Sequence, residues 1–393
     1  MSTFKHHDML PTPSHDEQAR QDFVATLRGH LSGRLMPGAY QVYERRVAPA
    51  LRAELGRDPD ETEIRRAMTR DPYYQFWSAM QRRSQEMLWE SVIDPTEREL
   101  PTLIGRAKSR ARPRIRPAAS KGAVRRAARG GAPRGSLRLD PTLPLPRYHA
   151  AVDIHLQPGA YHTDSTADDI AAGAIYDKGL DLYMGGALGA ENDLMGRTLV
   201  AYLQERHPAF RPRRVLDMGC AIGNSTLVWA RAFPAAEVHG IDVGAPVLRY
   251  AHARAEGFGV AVHFSQQDAE RTDFADGSFD VVVSHIMLHE TSKPALRRIF
   301  AECKRLLRPG GLMLHLEIPR GQTVFEQFMH NWESYNNNET FSRYMTHIDL
   351  AAEAVKGGFA RPRVRVDEFA MQMSVAQMNY AENFIWKILA AER

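Results

Sequence analysis

A chain of 393 residues with 44% hydrophobic content can bury a sizeable core and one additional unit, and no apolar run reaches the roughly 18 residues that cross a membrane. Its only cysteines, Cys220 and Cys303, exclude a disulfide framework and lack metal-ligand spacing. The net charge of +4 averages unlike parts: residues 106 to 139 hold twelve Lys or Arg and no Asp or Glu, which leaves the remainder at −8.

The opening MSTFKHHDMLPTPSHDEQ mixes acids and prolines without the apolar centre of a secretory signal, so the expected location is cytoplasmic. Ser14 and Glu17 form a capping-box pattern, followed by helical periodicity at Phe23, Leu27 and Leu31. Asp58-Pro59 and Asp71-Pro72 mark two further helix starts. The second opens an apolar stripe through Tyr73, Tyr74, Phe76, Trp77, Met80, Met87, Leu88 and Trp89. Residues 1–104 therefore read as a helical N-terminal unit whose aromatics form a bundle core, with a cap over a substrate pocket or a surface for pairing two copies as the alternative.

Residues 105–147 change to Arg, Ala, Pro and Gly, in ARPRIRP, AVRRAARGGAPRG and PTLPLPR. This composition cannot bury a core and reads as a basic linker. Its charges could hold RNA in a salt-dependent manner, but no aromatic residue stands there for base stacking before Tyr148. The third unit, 148–393, begins with aromatic and polar residues that include His155, Tyr161, His162, Tyr176 and Tyr183.

Apolar runs at 213–217, 237–241, 260–264, 279–284 and 312–317 alternate with helical stretches, which predicts crossover connections and a parallel sheet. Ligands in such sheets bind beyond the strands' carboxyl ends, where Asp217, Asp242, Asp268 and Ser284 fall. The stretch VLDMGCAIGNST, 215 to 226, carries a tight turn bracketed by Gly219 and Gly223 with Asn224, Ser225 and Thr226 opening a helix. Asp242, 19 residues after Gly223, ends the next strand, where a carboxylate can accept both hydroxyls of a ribose. From Gly219 the chain runs GCAIGN, so the pyrophosphate fingerprint GxGxxG is absent and the site suits a nucleoside without pyrophosphate.

With VLDMGCAIGNST, four further segments in order, GID at 240–242, QQDAE at 266–270, FDVVVSHIMLHE at 279–290 and LLRPGGLMLHLEI at 306–318, make residues 215 to 317 resemble the core of the class I S-adenosylmethionine (SAM)-dependent methyltransferases. Ala221 departs from the glycine that often stands mid-turn. The resemblance implies an α/β fold: a Rossmann-like, seven-stranded, mostly parallel sheet with helices on both faces, here with the N-terminal helical unit added. Its last two strands, near 364–366 and 384–389, would be an antiparallel edge pair, although the final segment also reads as a helix. Segments 148–196 and 319–345 would cap the pocket.

The resemblance further implies SAM as cofactor. Asp242 with Val243 would serve the ribose; Asp268 with Ala269 the adenine edge; the backbone from Gly219 through Cys220 to Gly223 the methionine portion. Asp217, Ser284 and Tyr176 would complete the set. Methyl transfer from a sulfonium is an in-line displacement that needs alignment and exclusion of water, and a base only where the nucleophile carries a proton that must leave. His289 is the candidate base, since its loop faces the transferred methyl in similar enzymes, with a histidine hydrogen-bonded to hold the loop as the alternative; His285 reads as structural or as a pocket wall. SHIML at 284–288 lacks the Pro-Pro-aromatic motif of amino-methylating nucleic-acid enzymes, neither cysteine follows a proline, and Glu290 has no paired glutamate. A small-molecule acceptor is the resulting expectation, with no membrane partner. The alternatives are an RNA-modifying enzyme anchored by 106–138 and a non-catalytic SAM-binding protein, and the N-terminal helices are where a homodimer would form.

Overall fold

The computed structural model describes residues 4–111, 135–319, 321–345, 347–372 and 383–393. One eight-stranded sheet organises them, with β1 (Ser136–Arg138), β2 (Arg214–Met218), β3 (Glu237–Asp242), β4 (His263–Gln266), β5 (Phe279–His285), β6 (Leu307–Glu317), β7 (Val364–Gln372) and β8 (Asn383–Glu392) in the order β1-β4-β3-β2-β5-β6-β8-β7. All neighbours are parallel except β8, which runs antiparallel to both β6 and β7. The helical alternative for the final segment is thereby resolved as a strand. Seven strands were expected; the eighth is β1, where Ser136 pairs with His263 on the far side of β4.

The strands are apolar on both faces because helices cover both. Val215, Val281, Val283, Leu314 and Ile388 belong to one core, and Leu216, Ile241, Val282, Met313 and Leu389 to the other. Adjacent residues of one strand fall in opposite cores, as the two-residue period of a strand requires.

The N-terminal helices are α1 (His15–His30), α2 (Met36–Val42), α3 (Ala48–Leu55), α4 (Glu61–Met68) and α5 (Pro72–Ala111). The capping box at Ser14 forms as expected. For α4 the cap is Asp60, whose carboxylate accepts the Glu63 N–H, two residues beyond the expected Asp58-Pro59 start. Helix α5 continues through Pro95, whose missing N–H would orphan the Ser91 carbonyl; that oxygen instead accepts from Gln21 Nε2 of α1 at 3.1 Å.

Residues Gly105 to Ala111, placed in the linker from composition, extend α5. Arg110 anchors that end by donating to the Ala253 carbonyl at 3.0 Å. Residues 112–134, which hold most of the basic run, lie outside the described residues.

Beyond the linker come α6 (Ala171–Tyr183), α7 (Leu194–Arg206), α8 (Asn224–Ala232), α9 (Ala245–Gly257), α10 (Lys293–Leu306), α11 (Val324–Asn336) and α12 (Leu350–Lys356). Helix α11 occupies the segment expected to be a lid and is opened by a capping box at Thr323. Its Phe325, Phe328 and Met329 share one cluster with Ala39, Ile64, Met68, Tyr74 and Trp77. The Trp77 and Trp332 rings lie 4.2 Å apart. Tyr74 and Trp77 are therefore core, shared with the lid, whereas Phe76 of the same stripe is exposed. Among the described residues no helix is long and apolar enough to cross a membrane.

Candidate active site

The turn after β2 is built from left-handed backbone. Gly219, Ala221 and Gly223 have φ of 67°, 43° and 70°. A Cβ on Gly219 would lie 2.6 Å from Met287 Cγ, so glycine is required there by both conformation and space. Ala221 carries a Cβ in a region that costs an L-residue roughly 1–2 kcal/mol. Its N–H is spent well, donating to Asp242 Oδ2 at 3.0 Å.

Asp242 Oδ1 accepts the Gly244 N–H at 2.9 Å. Each carboxylate oxygen thus holds one backbone donor and keeps accepting capacity. Burial raises the Asp242 pKa above its ordinary value, against the pull of those N–H groups. An acceptor-only group at the cavity wall, with two adjacent oxygens, fits the two neighbouring hydroxyls of a ribose. Asp268 Oδ1 accepts the Glu270 N–H at 2.8 Å, and burial likewise raises its pKa.

A cavity of about 820 Å³ extends from this turn to the lid. Its wall includes Asp217, Gly219, Cys220, Asp242, Val243, Asp268, Ala269, Tyr176 and His289, nine of the eleven residues expected at the site. Gly223 does not line it; it caps α8 from the turn. Ser284, expected at the cofactor, is fully buried with its hydroxyl against His315 Nδ1 at 2.6 Å. Strand alternation explains the difference: His285, one residue on, faces the cavity.

Asp217 lines the wall but its oxygens are engaged, Oδ2 by the Thr226 hydroxyl at 2.6 Å and Oδ1 by His285 Nδ1 at 3.1 Å. Trp229 Nε1 donates to His285 Nε2 at 3.4 Å, so Nδ1 carries the His285 proton and donates to Asp217. Asp217 thereby ties the turn to β5. Cys220 is buried, and burial raises its thiol pKa well above the ordinary value, so it contributes wall and no nucleophile.

His289 lines the cavity and is paired with two carboxylates. Its Nδ1 faces Glu317 Oε2 at 2.8 Å and its Nε2 lies 3.3 Å from Glu290 Oε1. Burial disfavours the imidazolium, yet Glu317 and Glu290 outweigh it and hold the pKa well above 6.5. Both neighbours favour the protonated ring, which suits a histidine that holds the loop to the end of β6. The loop position did not show the partner Glu317, which stands at the end of β6.

The acceptor end contains groups that the sequence did not single out. Glu339 Oε1 lies 3.2 Å from His155 Nε2, and Asn337 Nδ2 donates to Glu339 at 3.1 Å. Glu333, on the lid, has the Tyr183 hydroxyl at 3.5 Å. Arg28, Met36, Tyr40, Trp77 and Gln85 bring the N-terminal helices into the wall. The capping roles of segments 148–196 and 319–345 were the usable signals, and the particular residues from α1 and α5 reach the cavity through tertiary packing.

The family model described as a methyltransferase domain matches residues 215–311. The chain is 28% identical over 173 residues to a malonyl-acyl-carrier-protein O-methyltransferase of Methylococcus capsulatus, covering 43% of this chain and 59% of that relative. It is 35% identical over 108 residues to a demethylmenaquinone methyltransferase of Thermus thermophilus, covering 28% of this chain and 48% of the relative. With phosphoethanolamine N-methyltransferase 1 of Arabidopsis thaliana the identity is 38% over 105 residues, 26% of this chain and 20% of the relative. The chain thus spans less than two thirds of each of these relatives. Where the matched residues fall, β2 to β6 with the left-handed turn and Asp242 at the adjoining strand end, the chain carries a class I SAM-dependent methyltransferase domain.

Proposed function

We propose that the protein transfers a methyl group from SAM to a small molecule enclosed between the sheet and the helical cap. The observation that carries this reading is the wall itself: Asp242, with spare accepting capacity on both oxygens, opens into the same cavity as the lid residues. Asp242 would bind the ribose, Asp268 and Ala269 the adenine edge, and the backbone of the turn the methionine portion, with Tyr176 beside it. SAM supplies an activated methyl on sulfur. The chain's own work is to align the acceptor and exclude water, which the shared core of lid and N-terminal helices supports.

The relatives are named for acceptors that differ in kind, malonyl-acyl-carrier protein, demethylmenaquinone and phosphoethanolamine, so they support the reaction more than any one acceptor. An RNA acceptor fits poorly, because eight carboxylate side chains and a single guanidinium line the cavity among the described residues. Pairing of two copies through the N-terminal helices would use Phe23 and Phe76, each 58% exposed, and light scattering of the purified protein tests it.

Calorimetric titration with SAM, and separately with NAD, tests the main reading. Saturable SAM binding without NAD binding is expected. Absence of SAM binding would overturn it.

A further inference from the structure

The charged groups at the acceptor end are unequally satisfied. Glu290 Oε1 lies 3.3 Å from His289 Nε2 and 3.5 Å from His155 Nε2, and Glu339 lies 3.2 Å from His155. Glu326 accepts the Gln322 and Thr323 N–H groups at 2.7 and 2.9 Å, closing its own helix cap. Arg28, the single guanidinium of the wall, donates to Ser84 and Gln85 at 3.4 Å each and stands 4.8 Å from the centre of the Tyr183 ring. Glu333 has no ion-pair partner among the described residues, only the Tyr183 hydroxyl at 3.5 Å.

A carboxylate withdrawn into a cavity is costly unless a cation or a proton joins it. Burial, and then Glu339, push the Glu333 carboxyl up to about 7, against Arg28 and His155. Its neighbour Glu339 is pulled to about 2 against its own burial by His155, so two carboxyls of one pocket are driven apart. Aromatic faces, from Tyr183 and Tyr40 to Trp332, surround the same space and suit a cation on an apolar body.

The cofactor turn and Glu333 line the same cavity, and a row of rings runs along it. Tyr176 packs on Tyr161 at 5.1 Å between ring centres, His155 lies 6.2 Å from Tyr161, and Tyr183 lies 6.3 Å from His155. A few side chains therefore separate the methionine end from Glu333.

Building on the methyl-transfer reading, we propose that the acceptor is an amine that enters as its ammonium ion, and that Glu333 is the carboxylate that receives it and takes its proton. The ammonium R–NH3+ gives one proton to Glu333, leaving neutral R–NH2 and a neutral carboxyl. The nitrogen lone pair forms the new N–CH3 bond as the C–S bond of SAM breaks, and that electron pair stays on sulfur, giving S-adenosylhomocysteine. The product leaves as R–NH2–CH3+, and Glu333 returns its proton to solvent before the next cycle. A carboxyl whose affinity for the proton lies near neutrality can perform both halves. Arg28, His155, Glu339, Tyr183 and Tyr40 are the titratable or charged groups around it.

The test is calorimetry on the full-length protein saturated with S-adenosylhomocysteine, using arylalkyl amines, each beside the alcohol and the carboxylic acid of the same skeleton. The amines should bind at least about tenfold tighter than either counterpart, in line with a hydrogen bond to a charged group. Glu333→Gln should remove most of that preference while leaving S-adenosylhomocysteine affinity intact, which also reports that the variant is folded. Amines binding no tighter than their alcohols, or an unchanged preference in Glu333→Gln, would overturn the amine assignment while the methyl-transfer reading stands. Failure of S-adenosylhomocysteine itself to bind would remove both.

Discussion

Replacing His289 by alanine separates two roles that the same residue could hold. In the structure the imidazolium sits between Glu317, 4% exposed at its side chain, and Glu290, at 2.8 and 3.3 Å. Removing the ring leaves Glu317 Oε1 with its Leu288 N–H at 2.7 Å but strips Oε2 of its cation. Breaking a buried pair by deleting one partner costs about 3–5 kcal/mol, because the remaining charge is uncompensated. Urea denaturation of His289→Ala at pH 7 should show a loss of that size, with turnover of the folded fraction changed only a few-fold. The pH dependence has a definite sign. The folded pKa lies well above 6.5, so the pair's contribution is complete below that unfolded value and is lost as pH rises through the elevated folded value. The stability gap between wild type and variant should therefore narrow in alkaline solution. A variant of wild-type stability whose turnover falls by about 10² to 10⁴ would restore His289 as general base and refute the ion-pair account.

Asp242→Ala should weaken SAM binding by about 2–4 kcal/mol, since two ribose hydroxyls lose their acceptor in a buried site, and isothermal titration reads it directly. Ala221→Gly relieves a φ of 43° and should stabilise the fold by up to about 1 kcal/mol without weakening SAM binding, measured by thermal unfolding with and without SAM. Asp177, wholly buried, has its pKa lowered to about 2 although burial opposes this, because Arg254 and His7 surround it. Its contribution is present above the ordinary value of 3.8 and disappears as pH falls through about 2, so Asp177→Asn should lose stability at pH 7 and converge with wild type near pH 2 in acid titration. Glu333→Gln removes a carboxyl whose folded pKa is raised, so it should raise the melting temperature at pH 8 and leave it nearly unchanged at pH 4.

The strands and the cofactor turn were legible because their signals are local. A period of apolar runs, two glycines and an acid at a strand end depend on few long-range facts, and β2, β3 and β5 fall within a residue of the runs, while β4 starts three residues late at His263 and β6 five residues early at Leu307. Ser284 was misplaced because proximity to a strand end does not say which face a residue takes. The partner of His289 was not legible, because Glu317 is 28 residues away and reaches it only through the pairing of β5 with β6. Strand β1 was hidden in a basic, proline-rich stretch: three residues, Ser136 to Arg138, carry no periodicity, and a neighbouring strand edge makes them a strand. A cap over the pocket was one alternative for the N-terminal aromatics, but which of them reach the cavity was not legible, since that depends on α11 lying on them.

The shared core of α11 with α2, α4 and α5 bears on the tempo of the reaction. Trp332 Nε1 donates to the Ser78 hydroxyl at 2.6 Å, and Arg82 Nη1 to the Asn336 carbonyl at 3.3 Å, so the lid is stitched to the long helix at two points one turn apart. Such a lid does not flap by itself. Exchange of spent for fresh cofactor requires either parting the aromatic cluster or rocking the whole helical roof against the sheet, and steps of that kind commonly limit turnover. Cycle time then belongs as much to the first hundred or so residues as to the atoms around the methyl group, and an amino-terminal truncation would leave a chamber without its roof rather than a faster catalyst.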